Sequence, residues 1–321
     1  KADGYEDWTR YLYVNSEEAT ILIELSGAAL LAPVFCRDFG PVRGLWMALF
    51  HSISAFCNAG IDLMGIRIPF SSLTLYAANP LVNLVIMALI IIGGIGFLTW
   101  EDIRSNQLHF GRYRMQSKVI LTTTAILILF PALYFYFGEF RQGSFGTRVL
   151  LSLFQSVTPR TAGFNTADFS QLSASGQMLT IILMLIGGSP GSTAGGMKTT
   201  TLAVLTATAI SVFRRNENPE LFKRRIAQET VSDAAAILMM YLSLCLTGAF
   251  LISRIEDLPM MACMFETASA VGTVGLSFGI TPGLGSISRI ILIILMYLGR
   301  VGGLTLIYAA LSGHRIRLGK Y

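Results

Sequence analysis

The stretch Val271-Gly272-Thr273-Val274-Gly275-Leu276 places small residues and glycines in a row, with no acidic or basic side chain among them. Such a segment can extend and turn its backbone carbonyls towards a cation, replacing the water that the ion must shed. Glycine suits this arrangement because some of the carbonyl orientations require φ/ψ values that a Cβ would penalise. Glycine-rich turns are common, so the prediction of a cation filter depends on the sequence around the stretch.

The surrounding pattern occurs three times in the chain. A Phe is followed by a polar residue, a Ser or Thr, an apolar residue and another Ser or Thr, and a Gly comes nine or ten residues after the Phe. The three copies are Phe50 to Gly60, Phe154 to Gly163 and Phe265 to Gly275, and their glycines lie 103 and 112 residues apart. A repeat of that length predicts a repeated membrane module.

The composition is that of a membrane protein. The chain has 321 residues, is 53% hydrophobic and only 13% charged, and has a mean hydropathy of +0.61, whereas soluble domains carry about 25% charged residues. The net charge of +5 does not indicate nucleic-acid binding, because the basic residues lie in segments that flank apolar runs. The four cysteines are far apart and show neither metal-ligand spacing nor a disulfide framework.

Each repeat is predicted as a membrane span, a half-helix, a glycine loop and a second span. The half-helices are too short to cross ~30 Å of hydrocarbon at 1.5 Å per residue, so we expect them to enter the membrane and return, buried in protein. The predicted half-helices are Trp46–Phe56, Arg148–Val157 and Pro259–Ala270. The predicted spans are Ile21–Phe35, Leu81–Leu98, Val119–Phe137, Ala234–Ile252 and Ile287–Leu311, and a further helix begins at Met178.

These elements divide the chain into a polar segment and three units. Residues 1–18 are polar and acidic and lack the apolar run of a signal peptide. The units that follow are residues 19–115, 116–228 and 229–321. The fold class is therefore predicted as an all-α membrane protein.

The charges of the connecting segments predict the orientation. Basic residues are concentrated in 101–118, in 214–225 and in the tail that holds Arg315, Arg317 and Lys320. All three segments lie on the side opposite the glycine loops, so that side is predicted to be cytoplasmic by the positive-inside rule. The glycine loops then open outward.

The second span of the middle unit is interrupted by the segment 187–198, which has five glycines and a proline. Each Gly costs roughly 1 kcal/mol and a Pro ~3 in a helix, so no helix is expected there. The flanks, Met178–Ile186 and Thr199–Phe213, are apolar enough to be two halves of one crossing, and we interpret 187–198 as a flexible gate. The alternatives are a loop at the membrane surface or a phosphate loop, but Met197 disrupts the spacing of the latter and no strand precedes it.

Arg300 lies within a predicted span and is flanked by glycines. A mid-span arginine is costly and by default marks an ion path. The alternative is an anchor for carbonyls of a neighbouring helix. Three polar residues follow the repeated Phe residues. His51 and Gln155 are interpreted as structural rather than as proton carriers, and Glu266 is expected to bond to nearby backbone.

Together these motifs resemble the membrane subunit of the Trk/Ktr/HKT superfamily of potassium transporters, most closely the Ktr type. The resemblance covers nearly the whole chain. It is carried by Phe50 to Gly60, Thr158 to Thr166, Gly187 to Thr201, Gly272 to Ser277 and Gly299 to Gly303.

The resemblance implies a pseudo-fourfold pore of four span–pore-helix–filter-loop–span units, of which the first is missing from this sequence. It implies a K⁺ filter of backbone groups from Asn58, Ala59, Gly60, Thr161, Ala162, Gly163, Gly272, Thr273, Val274 and Gly275. It also implies a gate formed by Gly187, Gly188, Gly191, Gly195, Gly196 and Lys198 with Arg300 as its partner.

The family assembles as a homodimer on a cytosolic, nucleotide-binding regulatory ring of the RCK type, and Na⁺ activation is typical of the Ktr type. A nucleotide (ATP, ADP or NAD) is therefore expected only through that ring. The predicted function is K⁺ uptake across the plasma membrane without enzymatic chemistry. An ion-coupled symporter, driven by H⁺ or Na⁺, and a structural or receptor-like membrane subunit are the alternatives.

Overall fold

The computed structural model describes residues 3–107, 109–215 and 218–301, with side chains from residue 17 onward. Within those ranges the chain is mostly helical, and the only strands are the short antiparallel pair β1 (Glu220–Leu221) and β2 (Arg224–Arg225). The helices are α1 (Asp3–Phe39), α2 (Pro41–Phe56), α3 (Pro80–Gly94), α4 (Phe97–Asn106), α5 (Met115–Tyr134), α6 (Phe145–Val157), α7 (Ala174–Leu185), α8 (Thr199–Phe213), α9 (Gln228–Glu256), α10 (Met260–Gly272) and α11 (Ser286–Val301).

Three of these helices are long and apolar enough to cross a membrane. They are Glu17–Phe39 within α1, Met115–Glu139 (α5 with the π-turn that extends it) and Gln228–Glu256, which is α9. A fourth crossing is available if the bent pair α3 and α4 counts as one span. Large apolar side chains such as Leu22, Phe130 and Phe250 are exposed on the three long helices, as expected for surfaces that face lipid. The protein is thus a multi-pass membrane protein.

Each long helix is followed by a short helix and a loop that contains one of the repeated glycines. The short helices α2, α6 and α10 pack against the long helices that precede them, α1, α5 and α9. Buried aromatic side chains, among them Phe35, Phe56, Phe154 and Phe265, form the cores between these layers. The three predicted half-helices are therefore present, although α2 and α6 begin at Pro41 and Phe145, several residues earlier than predicted, and α10 begins one residue later, at Met260.

Local sequence signals explain where several helices begin. Pro41 and Pro80 occupy the first turns of α2 and α3, where the missing N–H of proline costs nothing. Asn79, Ser144 and Ser173 cap α3, α6 and α7, because their side-chain oxygens accept N–H groups of the first turn.

The prediction of one continuous span over Leu81–Leu98 is wrong. The helix ends at Gly94, and α4 leaves at an angle of 99°. Gly96 lies between the two with φ 88°, and a Cβ there would lie 2.7 Å from the carbonyl oxygen of Pro190. The bend therefore accommodates the backbone of the distant segment 187–198, which hydropathy does not reveal.

Other boundaries also differ from the predictions. The loop expected to begin at Val271 begins at Thr273, because α10 continues through Gly272. Only Gly40 separates α1 from α2. Helix α1 runs through residue 18, so the predicted edge of the polar segment falls inside it. The end of the last predicted span and the basic tail lie outside the described residues.

Candidate functional site

Three glycine loops follow the short helices, and we call them loop A (57–63), loop B (158–166) and loop C (273–279). Each has two residues in the left-handed backbone region, the repeated glycine and the residue two positions before it. The φ values are 49° and 66° at Asn58 and Gly60, 65° and 84° at Thr161 and Gly163, and 53° and 91° at Thr273 and Gly275. Positive φ is a genuine outlier for a β-branched residue such as Thr. The shared pattern therefore shows that the three loops have one unusual backbone shape.

The three loops also meet at one place. A Cβ added at Gly60 would overlap the carbonyl oxygen of Ala162, and one added at Gly163 would overlap the carbonyl oxygen of Val274. Among the described residues, the atom nearest to a Cβ at Gly275 is the Cα of Gly163, at 3.9 Å. Loop A thus packs on loop B and loop B on loop C in one rotational sense, while the corresponding side of Gly275 is open.

Polar residues of the short helices bond to the second half of each glycine loop, at equivalent positions in the three loops. The side chain that follows the repeated Phe bonds to the residue three positions after the repeated Gly. These contacts are Leu63 N to His51 Nε2 (3.3 Å), Gln155 Nε2 to Thr166 Oγ1 (3.4 Å) and Phe278 N to Glu266 Oε1 (2.9 Å). The prediction that Glu266 bonds to nearby backbone is confirmed.

A second set of side chains fastens each loop closer to its glycine. These are the hydroxyl groups four residues after the repeated Phe, and each bonds to backbone at the glycine or just beyond it. Ser54 donates to Ile61 O (2.7 Å), Thr158 donates to Phe164 O (2.5 Å), and Ser269 accepts from Gly275 N (3.1 Å). Each loop is therefore fixed by two side chains that lie in its short helix or, for Thr158, at the residue that caps the end of the helix.

The segment 187–198 forms a closed loop between α7 and α8, as predicted for the interruption. Its two ends are adjacent, because Gly187 N donates to Met197 O (2.7 Å) and Thr199 N donates to Gly188 O (3.0 Å). The close approach needs glycine, since a Cβ at Gly187 would overlap the carbonyl oxygen of Gly195.

The outer part of the segment 187–198 is bonded to the bend between α3 and α4. Ser189 N donates to Gly94 O (3.0 Å), Thr193 N donates to Gly93 O (3.3 Å), and Phe97 N donates to Gly191 O (3.1 Å). This segment therefore packs against the glycines of the bend, Gly93, Gly94 and Gly96.

The same segment touches two of the three glycine loops. Asn58 Nδ2 in loop A donates to Thr193 Oγ1 at 2.9 Å. A Cβ at Gly195 would overlap Thr273 Oγ1 in loop C, and one at Gly196 would lie 3.3 Å from the carbonyl oxygen of Gly272. The segment therefore covers one end of the place where the glycine loops meet.

A cavity of about 380 Å³ lies beside this segment, lined among others by Thr193, Lys198, Tyr241 and Arg300. Lys198 Nζ donates to Ala194 O (2.8 Å), and Arg300 Nη1 makes a longer contact with Thr193 O (3.4 Å). The side chains of Lys198 and Arg300 therefore both contact backbone carbonyls of the segment. Arg300 thus contacts a carbonyl, as its interpretation as an anchor expects, and it also lines the cavity.

The structure brings together nearly all of the predicted site residues. Those of loops A, B and C surround their meeting point, and those of 187–198 lie against it. Gly272 differs, since it belongs to α10. It allows α10 to pack closely against α7, because a Cβ there would overlap the carbonyl oxygen of Met184.

Two residues of this region were not singled out from the sequence. Thr193 provides the link to loop A, and Arg160 is a buried cation in loop B whose Nη2 donates to Thr124 Oγ1 at 3.3 Å. Both lie within the quoted motifs, but nothing in the spacing distinguishes them from their neighbours.

Comparison with known proteins agrees with this geometry. The profile of a family described as TrkH, cation transport protein, matches residues 19–314. The chain belongs to this family. The resemblance to the membrane subunit of the Trk/Ktr superfamily is thereby confirmed.

Two curated relatives are similar over most of this TrkH-family chain. The potassium/sodium uptake protein NtpJ of Enterococcus hirae is 40% identical over 300 residues, which are 91% of this chain and 65% of the relative. Ktr system potassium uptake protein B of Bacillus subtilis is 36% identical over 296 residues, which are 90% of this chain and 65% of the relative. The chain therefore spans less than two thirds of the length of these relatives.

A solved structure shows the same fold. The potassium transporter TrkH from Vibrio parahaemolyticus superposes with a TM-score of 0.74 at 19% sequence identity, and the match covers 92% of this chain and 64% of that one.

Proposed function

We propose that this chain forms most of a K⁺ uptake pathway whose selectivity filter consists of backbone carbonyls of loops A, B and C. The observation that carries the proposal is the convergence of three loops with one backbone shape, seen at Gly60, Gly163 and Gly275. Rings of carbonyl groups can replace the hydration shell of K⁺. The names of the relatives, which are potassium uptake proteins, support K⁺ as the transported ion.

The short helices support a cation rather than an anion as the substrate. Helices α2, α6 and α10 end at Phe56, Val157 and Gly272, immediately before the three loops. The C-terminal end of a helix carries roughly half a negative charge. Three such ends near one place lower the energy of a cation there.

We propose that the complete filter is pseudo-fourfold, with a fourth loop outside the sequence described. Gly60 packs on Ala162 and Gly163 packs on Val274, but the matching side of Gly275 is open among the described residues. A fourth loop of the same shape fits between loop C and loop A. The greater length of the relatives is consistent with such a unit.

We propose that the segment 187–198 is the gate of this pathway. It lies against loops A and C and is held by bonds between backbone groups and by the contacts of Lys198 and Arg300. Such a loop can move without unfolding a helix, because α7 and α8 end on either side of it. Irregular backbone at membrane depth is tolerated where it lines a cavity, and a cavity of about 380 Å³ adjoins this one.

The proposed setting is the plasma membrane, with the glycine loops outward and the basic segments cytoplasmic. We further propose a homodimer of membrane subunits on a cytosolic nucleotide-binding regulatory ring, with Na⁺ as a modulator. The Ktr-system name of one relative agrees with a protein that works together with partners, and the potassium/sodium name of another agrees with a role for Na⁺. The symporter alternative has less support, because the buried carboxylate of Glu266 already accepts from Ser277, Phe278 and Thr281.

The proposal is tested in a bacterium deficient in K⁺ uptake, which expresses the full-length protein and grows at low K⁺. The wild type should restore growth, and Gly275→Ser should not, because a side chain at φ 91° distorts loop C. Immunoblots of the membrane fraction show whether both forms are inserted equally. Equal growth with both forms would contradict the filter.

A further inference from the structure

Three side-chain oxygens are buried without a hydrogen-bond partner at equivalent positions of loops A, B and C. They are Asn58 Oδ1, Thr161 Oγ1 and Thr273 Oγ1, and each belongs to the residue two positions before the repeated glycine. Asn58 and Thr161 are 7% and 0% exposed. Buried polar atoms are almost always bonded, so an unpaired one calls for an explanation such as a bound ion. Three unpaired oxygens in one register call for a common explanation.

The position of these oxygens follows from the backbone shape that the three loops share and from the contacts between their glycines. Gly60, Gly163 and Gly275 meet, and the residues two positions earlier have the same left-handed conformation in all three loops. The oxygens therefore surround the same axis, on the side where the short helices end and the segment 187–198 lies. An amide oxygen and two hydroxyl oxygens are neutral acceptors with free lone pairs, which suit a partly dehydrated alkali cation.

The orientation of the Asn58 amide follows from the bonds of Thr193. The Thr193 hydroxyl has a single proton, and carbonyl oxygens of Phe56 (3.0 Å) and Gly93 (3.1 Å) are its acceptors. Its oxygen can then only accept from Asn58, which must present Nδ2 to it (2.9 Å). The other end of the amide, Oδ1, is thereby turned away from the segment and left unpaired.

We propose that Asn58 Oδ1, Thr161 Oγ1 and Thr273 Oγ1 form a cation site of side-chain oxygens at the inner end of the carbonyl filter, and that Thr193 of the segment 187–198 orients the Asn58 ligand. The site rests on the proposed function, since it lies on the same ion path. Its ligands are side chains, so it can be altered without changing the backbone filter.

The site links ion binding to the position of the segment 187–198. Thr193 holds the ligand from loop A, and Gly195 lies directly against Thr273 of loop C. When the segment moves away, the Asn58 amide loses the bond that orients it and Thr273 is uncovered. Linkage is reciprocal, so an ion in the inner site stabilises the position of the segment seen here.

The test uses the full-length protein in proteoliposomes, with K⁺ flux as the readout and Ba²⁺ added on the side of the segment 187–198. Ba²⁺ has nearly the radius of K⁺ and blocks a path when it occupies a K⁺ site. Thr161→Val and Thr273→Val remove an oxygen and keep the branched shape. Each should weaken inhibition by Ba²⁺ about tenfold, the change that the loss of one ligand of moderate strength produces. Thr161→Ser and Thr273→Ser keep the oxygen, so Ba²⁺ should inhibit K⁺ flux through these variants as strongly as through the wild type.

A buried threonine away from the loops provides the control. Thr180 lies in α7 and donates to Gly176 O (2.8 Å), so Thr180→Val should leave Ba²⁺ inhibition unchanged. Thr193→Val removes the acceptor for Asn58 and should also weaken inhibition about tenfold, while Thr193→Ser restores it. Retained inhibition in Thr193→Val would overturn the orienting role.

Two results separate this site from the proposed filter. If Thr161→Val and Thr273→Val bind Ba²⁺ as the wild type does while Gly275→Ser abolishes uptake, the inner site is refuted and the filter stands. If Gly275→Ser transports normally, the filter itself is refuted. For valine variants that reconstitute poorly, the rise in unfolding temperature caused by K⁺ is measured in detergent, and an undiminished rise counts against the site.

Discussion

Glu266 accepts the backbone N–H of Phe278 at 2.9 Å, and His51 and Leu63 stand in the same relation in the first unit. Glu266 also accepts from the hydroxyls of Ser277 (2.7 Å) and Thr281 (2.6 Å). The buried carboxylate of Glu266 thus bonds to the second half of loop C and to Thr281 just beyond it. This carboxylate bonds to groups that a water molecule would otherwise have to satisfy.

Glu266→Ala should therefore destabilise the protein and loosen loop C. Hydrogen bonds to a charged group contribute about 1.5–3 kcal/mol each, and the substitution leaves three donors unpaired, so we expect a loss of about 3 kcal/mol or more and a lower preference for K⁺ over Na⁺. Thermal unfolding and competitive flux measure the two effects. Glu266→Gln keeps an acceptor for Phe278 and should lose less, and equal behaviour of the two variants would contradict this role.

Gly195→Ala should displace the segment 187–198 from loop C. A Cβ at Gly195 would overlap Thr273 Oγ1, so the closed position becomes crowded and K⁺ flux should rise. The matched control is Gly191→Ala, because no described atom lies within 4 Å of a Cβ there and only its φ of 67° opposes the substitution. A flux in Gly195→Ala no greater than in Gly191→Ala would show that this contact does not hold the segment.

Gly275→Ala tests whether a fourth loop packs on loop C. Left-handed φ costs a residue with a Cβ roughly 1–2 kcal/mol, and φ is positive at both glycines, 66° at Gly60 and 91° at Gly275. A Cβ at Gly60 would also overlap Ala162 O and lie 2.8 Å from Gly163 Cα, whereas no described atom lies closer than 3.9 Å to a Cβ at Gly275. If a fourth loop is present, Gly275→Ala should reduce uptake by the full-length protein as strongly as Gly60→Ala. A much milder effect of Gly275→Ala than of Gly60→Ala would indicate that no fourth loop packs against Gly275.

Much of the fold was predictable because each unit repeats its local signals. The Phe-polar-Ser/Thr pattern located all three short helices, and the run of glycines located the interruption between α7 and α8. The bend at Gly96 was not predictable, because its cause is the contact with Pro190 and Gly191, almost one hundred residues away. Glycines inside an apolar run are equally compatible with a straight membrane helix.

The candidate site was predictable in position but not in register. The repeated glycines indicated which loops meet. The bonding partners of Glu266, Gln155 and His51 were not predictable, because they depend on where the backbone of each loop returns to the side of its short helix. Thr193 could not be distinguished from Ser192 by sequence, since only packing decides which hydroxyl reaches Asn58.

Arg300→Ala should increase K⁺ flux, because it removes a positive charge beside the ion path. At ~10 Å and an effective dielectric constant of ~20, the repulsion between Arg300 and a K⁺ ion is about 1.7 kcal/mol, or more than tenfold in occupancy. The loss of the contact with Thr193 O also frees the segment 187–198. Arg289→Ala is the matched control, since Arg289 lies in the same helix and donates to Pro282 O (2.7 Å) far from the segment. Transport curves of Arg300→Ala that superimpose on those of the wild type would remove Arg300 from the mechanism, and an equal increase in Arg289→Ala would assign the effect to α11 as a whole.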